Sequence, residues 1–152
     1  MKIIAQNKKA FHDYHIIDQL EAGIVLAGDE VKSIRAGHVN LSGSFAHIAD
    51  NELFLVNCHI SAYDKAYDKG RLNAEYATRR RKLLVHKRQL HNIISDIARQ
   101  GITVVPLKVY LKDGLIKIEL GIAKGKKQAD KREALKERDI KRDAAREIRG
   151  RE

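Results

Sequence analysis

The feature that most constrains the fold is the stretch from Ile102 to Ile122, where two apolar runs flank the dipeptide Asp113-Gly114. Asp-Gly between such runs is typical of a two-residue hairpin turn. The second run alternates apolar with polar or small side chains, as in Ile116, Ile118, Leu120 and Ile122 against Lys117, Glu119 and Gly121. The pattern predicts an antiparallel hairpin. Pro106 lacks a backbone donor and so predicts an edge or bulge position.

Two further strand pairs are predicted upstream. His15–Leu20 and Gly23–Ala27 are rich in β-forming residues, and we interpret them as a hairpin with Glu21 in its turn. The segments 44–50 and 52–59 flank Asp50-Asn51, residue types that tolerate the positive φ of a tight turn. A short strand is expected at 83–85. Cys58 is expected to be a small core residue.

Two helices are predicted in the same region. The first begins with Asp29 as N-cap, turns Val31 and Ile34 inward and ends at Gly37. The second spans Lys87–Arg99 and is stopped by Gly101, with its apolar residues on one face: Leu90, Ile93, Ile94 and Ile97. Residues 1–13 are expected to be a short basic lead. Six or seven short strands with two helices predict a mainly β fold with helices: an antiparallel, OB-like β-barrel spanning residues 1–123.

Residues 124–152 differ in composition from the body and are predicted to form a basic C-terminal tail. They carry 12 Lys/Arg against 7 Asp/Glu, which gives +5, half of the chain's net charge of +10. Ile140, Ala144 and Ile148 form a stripe too narrow to hold a helix against a domain. We expect the tail to be disordered when free and to become helical on a polyanionic partner. The alternative is a solvated tail that serves solubility.

Composition limits the compartment and the partner. A single Cys58, with no signal peptide or membrane span, fits a reducing cytoplasm and no membrane association. A sequence pI near 9.8 favours RNA, DNA or an anionic surface as partner. We expect a monomer.

No recognised catalytic motif is present, so the chain is predicted not to be an enzyme and to need no metal or other cofactor. His12, Asp13 and His15 lack a third ligand at motif spacing and are expected to pack or to contact phosphate. Gly121 to Lys127 resembles a P-loop but has one residue too few between its glycines and no Ser or Thr after Lys126. A small hydrolase that uses His12 and Asp13 remains an alternative.

The segment 61–78 is predicted to be a long loop, either tolerant or functional. It contains a tandem Ala-Tyr-Asp-Lys repeat, and its tyrosines could stack on bases: Tyr63, Tyr67 and Tyr76. The basic run Arg79–Lys82 follows, whose charges repel unless an anion lies between them. We assign Arg81, Lys82 and Lys124 to an RNA-binding surface.

Five stretches in chain order resemble the small protein B family, the SsrA-binding proteins that partner transfer-messenger RNA in trans-translation. The stretches are Asn7–Tyr14, Glu21–Gly28, Glu30–Gly37, Arg81–Leu84 and Gly125–Arg132. The resemblance implies an OB-like barrel that grips the tRNA-like part of that RNA. It also implies a tail that becomes helical in the empty messenger channel of a stalled ribosome.

By the same resemblance, Asn7, Glu21 and Leu84 belong to the RNA-binding surface, and the ribosome-contacting part of the tail comprises Gly125, Lys126, Lys127, Asp130, Lys131 and Arg132. A carboxylate at Glu21 can accept hydrogen bonds from base amino groups or orient a neighbouring cation. Ala129 departs from the family, where a His or aromatic residue is frequent, and it cannot stack on a base. A general single-strand-binding OB module remains the alternative.

Overall fold

The computed structural model describes residues 1–62, 74–99 and 101–126. In these ranges nine strands and four helices follow one another, namely β1 (Lys2–Gln6), α1 (Lys8–Asp13), β2 (Tyr14–Ile24), α2 (Gly28–Arg35), β3 (Val39–Asn40), β4 (Phe45–Ala49), β5 (Glu52–Val56), β6 (His59–Ile60), α3 (Ala74–Ala77), β7 (Arg81–Leu84), α4 (Lys87–Ile97), β8 (Ile102–Lys112) and β9 (Leu115–Gly125). Seven strands form an antiparallel sheet in the order β1-β8-β9-β2-β7-β5-β4, and β3 pairs with β6. The predicted antiparallel, mainly β fold with helices is confirmed.

The sheet curls so that β4 contacts β8, and one main core fills its inner side. Leu55, Val104 and Leu120 are fully buried there, and Cys58 is buried as expected. The helix α4 turns Ile93 into this core, and Leu90 and Ile97 of the predicted face pack against it. Ile94, the fourth residue of that face, is half-buried. The predicted stop at Gly101 is also present, with φ at +81°.

The β8–β9 hairpin has the predicted turn. Asp113 and Gly114 both have positive φ, at 53° and 76°. Pro106 lies at a bulge, because the pairing register shifts between Pro106 and Lys108. The alternative of an edge position is wrong, since β8 lies between β1 and β9. The β4–β5 hairpin is confirmed as well, with positive φ at Asp50 and Asn51.

The predicted turn at Glu21 is wrong. Residues Tyr14–Ile24 form one continuous strand, and Glu21 lies within it, opposite Glu119 of β9. Ala22 and Gly23 favoured a turn because they are small. In the fold their size serves packing, since Ala22 is buried in the core and Gly23 faces Leu84 of β7.

The basic lead at residues 1–13 is also more ordered than predicted. It contains β1, which pairs with β8, and the helix α1. Asn7 caps α1, since its Oδ1 accepts a hydrogen bond from the backbone N–H of Ala10. An Asn at a helix start is a recognisable signal that the sequence reading did not use.

The start of α2 differs from prediction. Its N-cap is Ala27, whose backbone N–H donates to Glu30 Oε1 at 2.9 Å, so Asp29 is not the cap. Ile34 is buried as expected, whereas Val31 is half-buried.

The region predicted as a loop at 61–78 contains the single helical turn α3. The Ala-Tyr-Asp-Lys repeat lies outside the described residues from Tyr63 onward, and so does Tyr67. Strand β9 continues through Gly125, so the first two residues of the predicted tail belong to the sheet.

Candidate nucleic-acid interface

The outer face of the sheet brings Glu21 and Leu84 together. Gly23 of β2 lies directly opposite Leu84 of β7, and Glu21 lies two residues before Gly23. Side chains two residues apart on a strand share a face, so Glu21 and Leu84 point to the same side. Leu84 is 51% exposed there, which is unusual for a leucine on a central strand.

The missing side chain at Gly23 leaves a depression between Glu21 and Leu84. Its volume is about 320 Å³, and it is lined by Glu21, Ala22, Gly23, Leu84, Val85, His86, Gln89 and Lys117. A Cβ added at Gly23 would lie 3.4 Å from the Cβ of Leu84, on the floor of this depression. The site combines an exposed apolar ridge with a carboxylate, an amide, an imidazole and an ammonium group. Such a mixture suits the face and edge of an unstacked nucleotide base.

A second depression of about 320 Å³ flanks Leu84 on its other side. It is lined by Asn51, Glu52, Leu53, Lys82, Leu83, Leu84, Val85, Lys87 and Leu90. Lys82 shares the outer face with Leu84 and donates to Glu52 Oε1 at 3.1 Å. Leu84 therefore forms a ridge between the two depressions, and Lys82 lines the second of them.

Glu21 is held ionised on this surface. Burial by itself would raise its pKa, but the Lys112 ammonium, 3.2 Å from Oε2, and the adjacent Tyr110 hydroxyl outweigh burial and hold the pKa below its ordinary value. Within the described part of the chain, the second oxygen, Oε1, is buried without a hydrogen-bond partner.

Glu21 in turn should keep Tyr110 protonated. Burial and the neighbouring Glu21 carboxylate raise the pKa of Tyr110 to about 12, because a phenolate there would be poorly solvated and would face a negative charge. We expect Glu21→Gln to lower this pKa. An ultraviolet titration of the phenol band, with Tyr110→Phe subtracted, measures the shift. An unchanged titration curve would show that the carboxylate does not act on the phenol.

Arg81, predicted as a surface contact, is buried. Its side chain is fully covered, with Nε donating to Glu30 Oε2 at 2.6 Å and Nη1 donating to the Cys58 carbonyl oxygen at 2.7 Å. Nη2 donates to the backbone oxygens of Ala77 and Tyr76. The guanidinium thus supports β7 and α3 from the inside of the sheet, which corrects its assignment to the surface.

Asn7 is likewise 5% exposed and lies away from Leu84. Besides capping α1, its Nδ2 donates to the Pro106 oxygen at 2.9 Å and to the Leu41 oxygen at 3.3 Å. These bonds tie β1, β8 and the segment before β4 together. Asn7 is therefore placed as a structural residue, with both N–H groups of its amide used in these bonds.

Lys124 lies near the far end of β9, opposite His15 of β2 and Ile102 of β8. Seven residues separate it from Lys117, about 23 Å along a strand. The structure does not bring Lys124 to Leu84. It does place Lys124 beside the root of the tail.

The root of the tail is fixed to α1. The backbone N–H of Lys126 donates to the Asp13 oxygen at 2.9 Å, and its Nζ donates to the Phe11 oxygen at 3.3 Å. Gly125 pairs with Tyr14. The other assigned tail residues lie outside the described residues: Lys127, Asp130, Lys131 and Arg132.

Four residues that line or support the surface were missed by the sequence reading: Gly23, Tyr110, Lys112 and Lys117. Lys112 and Lys117 lie in the clearest predicted hairpin, on its polar side. The signal for Lys117 was available, because the alternation of the second run already placed it on the polar face. The sequence carried no local signal that β2 lies beside β9, because that neighbourhood depends on strand order.

His12 and Asp13 do not join a larger cluster of His, Cys, Asp or Glu side chains in the described part of the chain. His12 Nδ1 lies 2.9 Å from Asp13 Oδ1, a local pair between neighbours in sequence. No group of three or more His, Cys, Asp or Glu side chains converges within residues 1–62, 74–99 and 101–126. Across the same ranges, no helix has both the length and the apolar character to cross a membrane.

Comparison with known proteins agrees with this architecture. The sequence profile of the SmpB protein family matches residues 4–150. An SsrA-binding protein of Shouchella clausii is 53% identical over 150 residues, covering 99% of this chain and 94% of that protein. One of Carboxydothermus hydrogenoformans is 55% identical over 147 residues, covering 97% of this chain and 93% of that protein.

A solved tmRNA-SmpB structure, described as a journey to the center of the bacterial ribosome, also matches this chain. Its TM-score is 0.66 and its sequence identity 43%, and the match covers 86% of this chain and 93% of that chain. The family profile, the curated relatives and the solved structure thus agree over nearly the full length. The chain belongs to the SmpB protein family.

Proposed function

We propose that this chain is an RNA-binding adaptor of trans-translation, which binds the tRNA-like part of transfer-messenger RNA and brings it to stalled ribosomes. The relatives are SsrA-binding proteins, and the solved neighbour is a tmRNA-SmpB structure of the ribosome. The observation that carries the proposal is the exposed Leu84 ridge beside the Glu21 carboxylate on the outer face of the sheet. RNA is the partner that this surface, on a chain of net charge +10, suits best.

The parts of the surface have different roles in this proposal. Leu84 packs against the apolar face of a base or a ribose, and Glu21 accepts a hydrogen bond from a base amino group or a 2′-hydroxyl. The ammonium groups of Lys82 and Lys117 attract the phosphate backbone of the RNA. Arg81 and Asn7 hold the strands that carry these residues and contact no RNA themselves.

In the same proposal the tail serves the ribosome and not the recognition of transfer-messenger RNA. Lys127, Asp130, Lys131 and Arg132 enter the empty messenger channel, with the cationic side chains contacting ribosomal RNA phosphates. Gly125 and Lys126 fix the root of the tail to the body. The body is residues 1–125, because β9 extends that far. The protein acts in the cytoplasm as a monomer, catalyses no reaction and uses no cofactor.

Replacing Leu84 or Glu21 by Ala should weaken the RNA complex without unfolding the body. Each side chain is partly exposed on the outer face, so its removal leaves the buried core intact. We expect a loss of affinity of about tenfold for each variant. Fluorescence anisotropy with the tRNA-like RNA measures the affinity, and thermal unfolding monitors the fold.

Ile17→Ala is the matched control. Ile17 is 57% exposed on β2 but lies six residues from Gly23, about 20 Å away. We expect it to bind RNA as the wild type does. If Leu84→Ala and Ile17→Ala lose the same affinity, or if affinity and thermal stability fall together, the ridge is not the binding site. Equal affinity of the wild type for an unstructured single strand would instead favour a general single-strand-binding module.

A further inference from the structure

Arg80 stands apart from the other residues of the basic run Arg79–Lys82. Arg79 and Arg81 both pair with the buried carboxylate of Glu30, and Lys82 pairs with Glu52. The anion that this run needed in order to fold is therefore supplied by the protein itself. Within the part of the chain that the structure describes, Arg80 is the member of the run that has no carboxylate partner.

Arg80 is instead stacked on an aromatic ring. Its guanidinium carbon lies 4.3 Å from the centroid of Phe54, and the residue is exposed. A guanidinium stacked at this distance has one face covered, while the N–H groups around its edge remain free to donate. Stacking also restricts a long side chain, so less rotamer entropy is lost when a ligand binds.

The pair belongs to the same outer face as Leu84. Phe54 of β5 lies directly opposite Lys82 of β7, and Leu84 follows Lys82 by two residues. Diagonal neighbours on adjacent strands lie about 7–8 Å apart. An RNA that covers Leu84 would therefore pass close to Phe54, where the charge of Lys82 is already balanced by Glu52. Arg80 adds a positive charge at this side of the ridge, where Lys87 lines the same depression.

We propose that Arg80, held against Phe54, binds a backbone phosphate of the RNA seated on Leu84 and forms a second anchor of the interface. This inference rests on the proposed function. A planar guanidinium offers two parallel N–H groups to two phosphate oxygens, which a stacked arginine can present without reorganisation. The contact fixes the direction in which the RNA leaves the Leu84 ridge toward β5, and it reads no base.

The salt dependence of RNA binding tests this contact in the full-length chain. Neutralising one phosphate contributes about 0.7 to 0.9 to the slope of log affinity against log salt. Arg80→Gln should make the slope shallower by that amount and should weaken binding at low salt by about three- to tenfold. Phe54→Leu keeps the charge, so its slope should match that of the wild type while its affinity falls by a smaller factor. Arg80→Lys should behave like Phe54→Leu.

Arg99→Gln is the matched control, because Arg99 carries the same charge, is exposed and lies at the end of α4, where it pairs with Asp96. Its slope and affinity should equal those of the wild type. If Arg80→Gln also equals the wild type, or if it equals Arg99→Gln, the phosphate contact is refuted. A wild type that binds single strands as tightly as the tRNA-like RNA would refute the proposed function instead, and the Arg80→Gln slope would still decide the phosphate contact.

Discussion

A chain that stops after Lys126 should bind transfer-messenger RNA nearly as tightly as the full chain, and it should no longer support peptide tagging on stalled ribosomes. The truncation removes 10 of the 12 Lys/Arg of residues 124–152 and all 7 of their Asp/Glu. It removes no residue of the sheet, and it keeps the hydrogen bonds of Lys126 to α1. RNA affinity should therefore fall only by the share of the net charge lost, a reduction that rising salt diminishes.

Reconstituted translation on a message without a stop codon measures tagging, and anisotropy with the tRNA-like RNA measures binding. Lys131→Ala combined with Arg132→Ala is the finer variant, since it leaves the chain at full length and should affect the same ribosomal step. Full tagging by the truncated chain would contradict the proposed role of the tail. Loss of all specific RNA binding would show that the body does not recognise the RNA by itself.

Among the substitutions proposed here, Glu30→Ala should cause the largest loss in the free energy of unfolding. Glu30 is 2% exposed and accepts hydrogen bonds from both Arg79 and Arg81, while the Arg81 side chain is fully buried. Removing the carboxylate leaves the Arg81 charge without compensation inside the fold, which costs about 3–5 kcal/mol. Urea unfolding followed by circular dichroism measures the difference.

Glu52→Ala is the control for this prediction. Glu52 also pairs with a basic residue of β7, Lys82, but both side chains are over two-fifths exposed. An exposed pair of this kind contributes at most about 1 kcal/mol. If the two variants lose equal stability, the burial of the Glu30 pair does not account for its contribution to the free energy of unfolding. RNA binding by Glu30→Ala should weaken as well, because Arg81 anchors the strand that presents Leu84.

Local patterns predicted the two hairpins with their turns because the turn residues themselves require a positive φ. Asp113-Gly114 and Asp50-Asn51 identify both, and the alternation of β9 identifies its faces. The helix α4 was equally clear, since four apolar residues fall on one side of it. These features depend on neighbours in sequence, which is why one sequence suffices to find them.

The errors came from residues whose role depends on distant partners. Ala22-Gly23 has the composition of a turn, yet β9 and β7 on either side hold it extended. Arg81 belongs to a basic run and was assigned to the surface. Its burial depends on Glu30, which lies 51 residues earlier in the chain. Glu21 and Leu84 were named through the family resemblance, and their position around one depression beside Gly23 became visible with the strand order.

Strand β9 also sets a distance between the two ends of the proposed activity. Lys117, beside the Glu21 depression, and Gly125, where the tail begins, are eight residues apart on this strand, or about 26 Å. Because β8 and β2 bond β9 along both sides, this length cannot stretch or shorten while the body is folded. The body thus holds the depression and the start of the tail at a fixed separation. The position of the bound RNA therefore determines where the tail leaves the body.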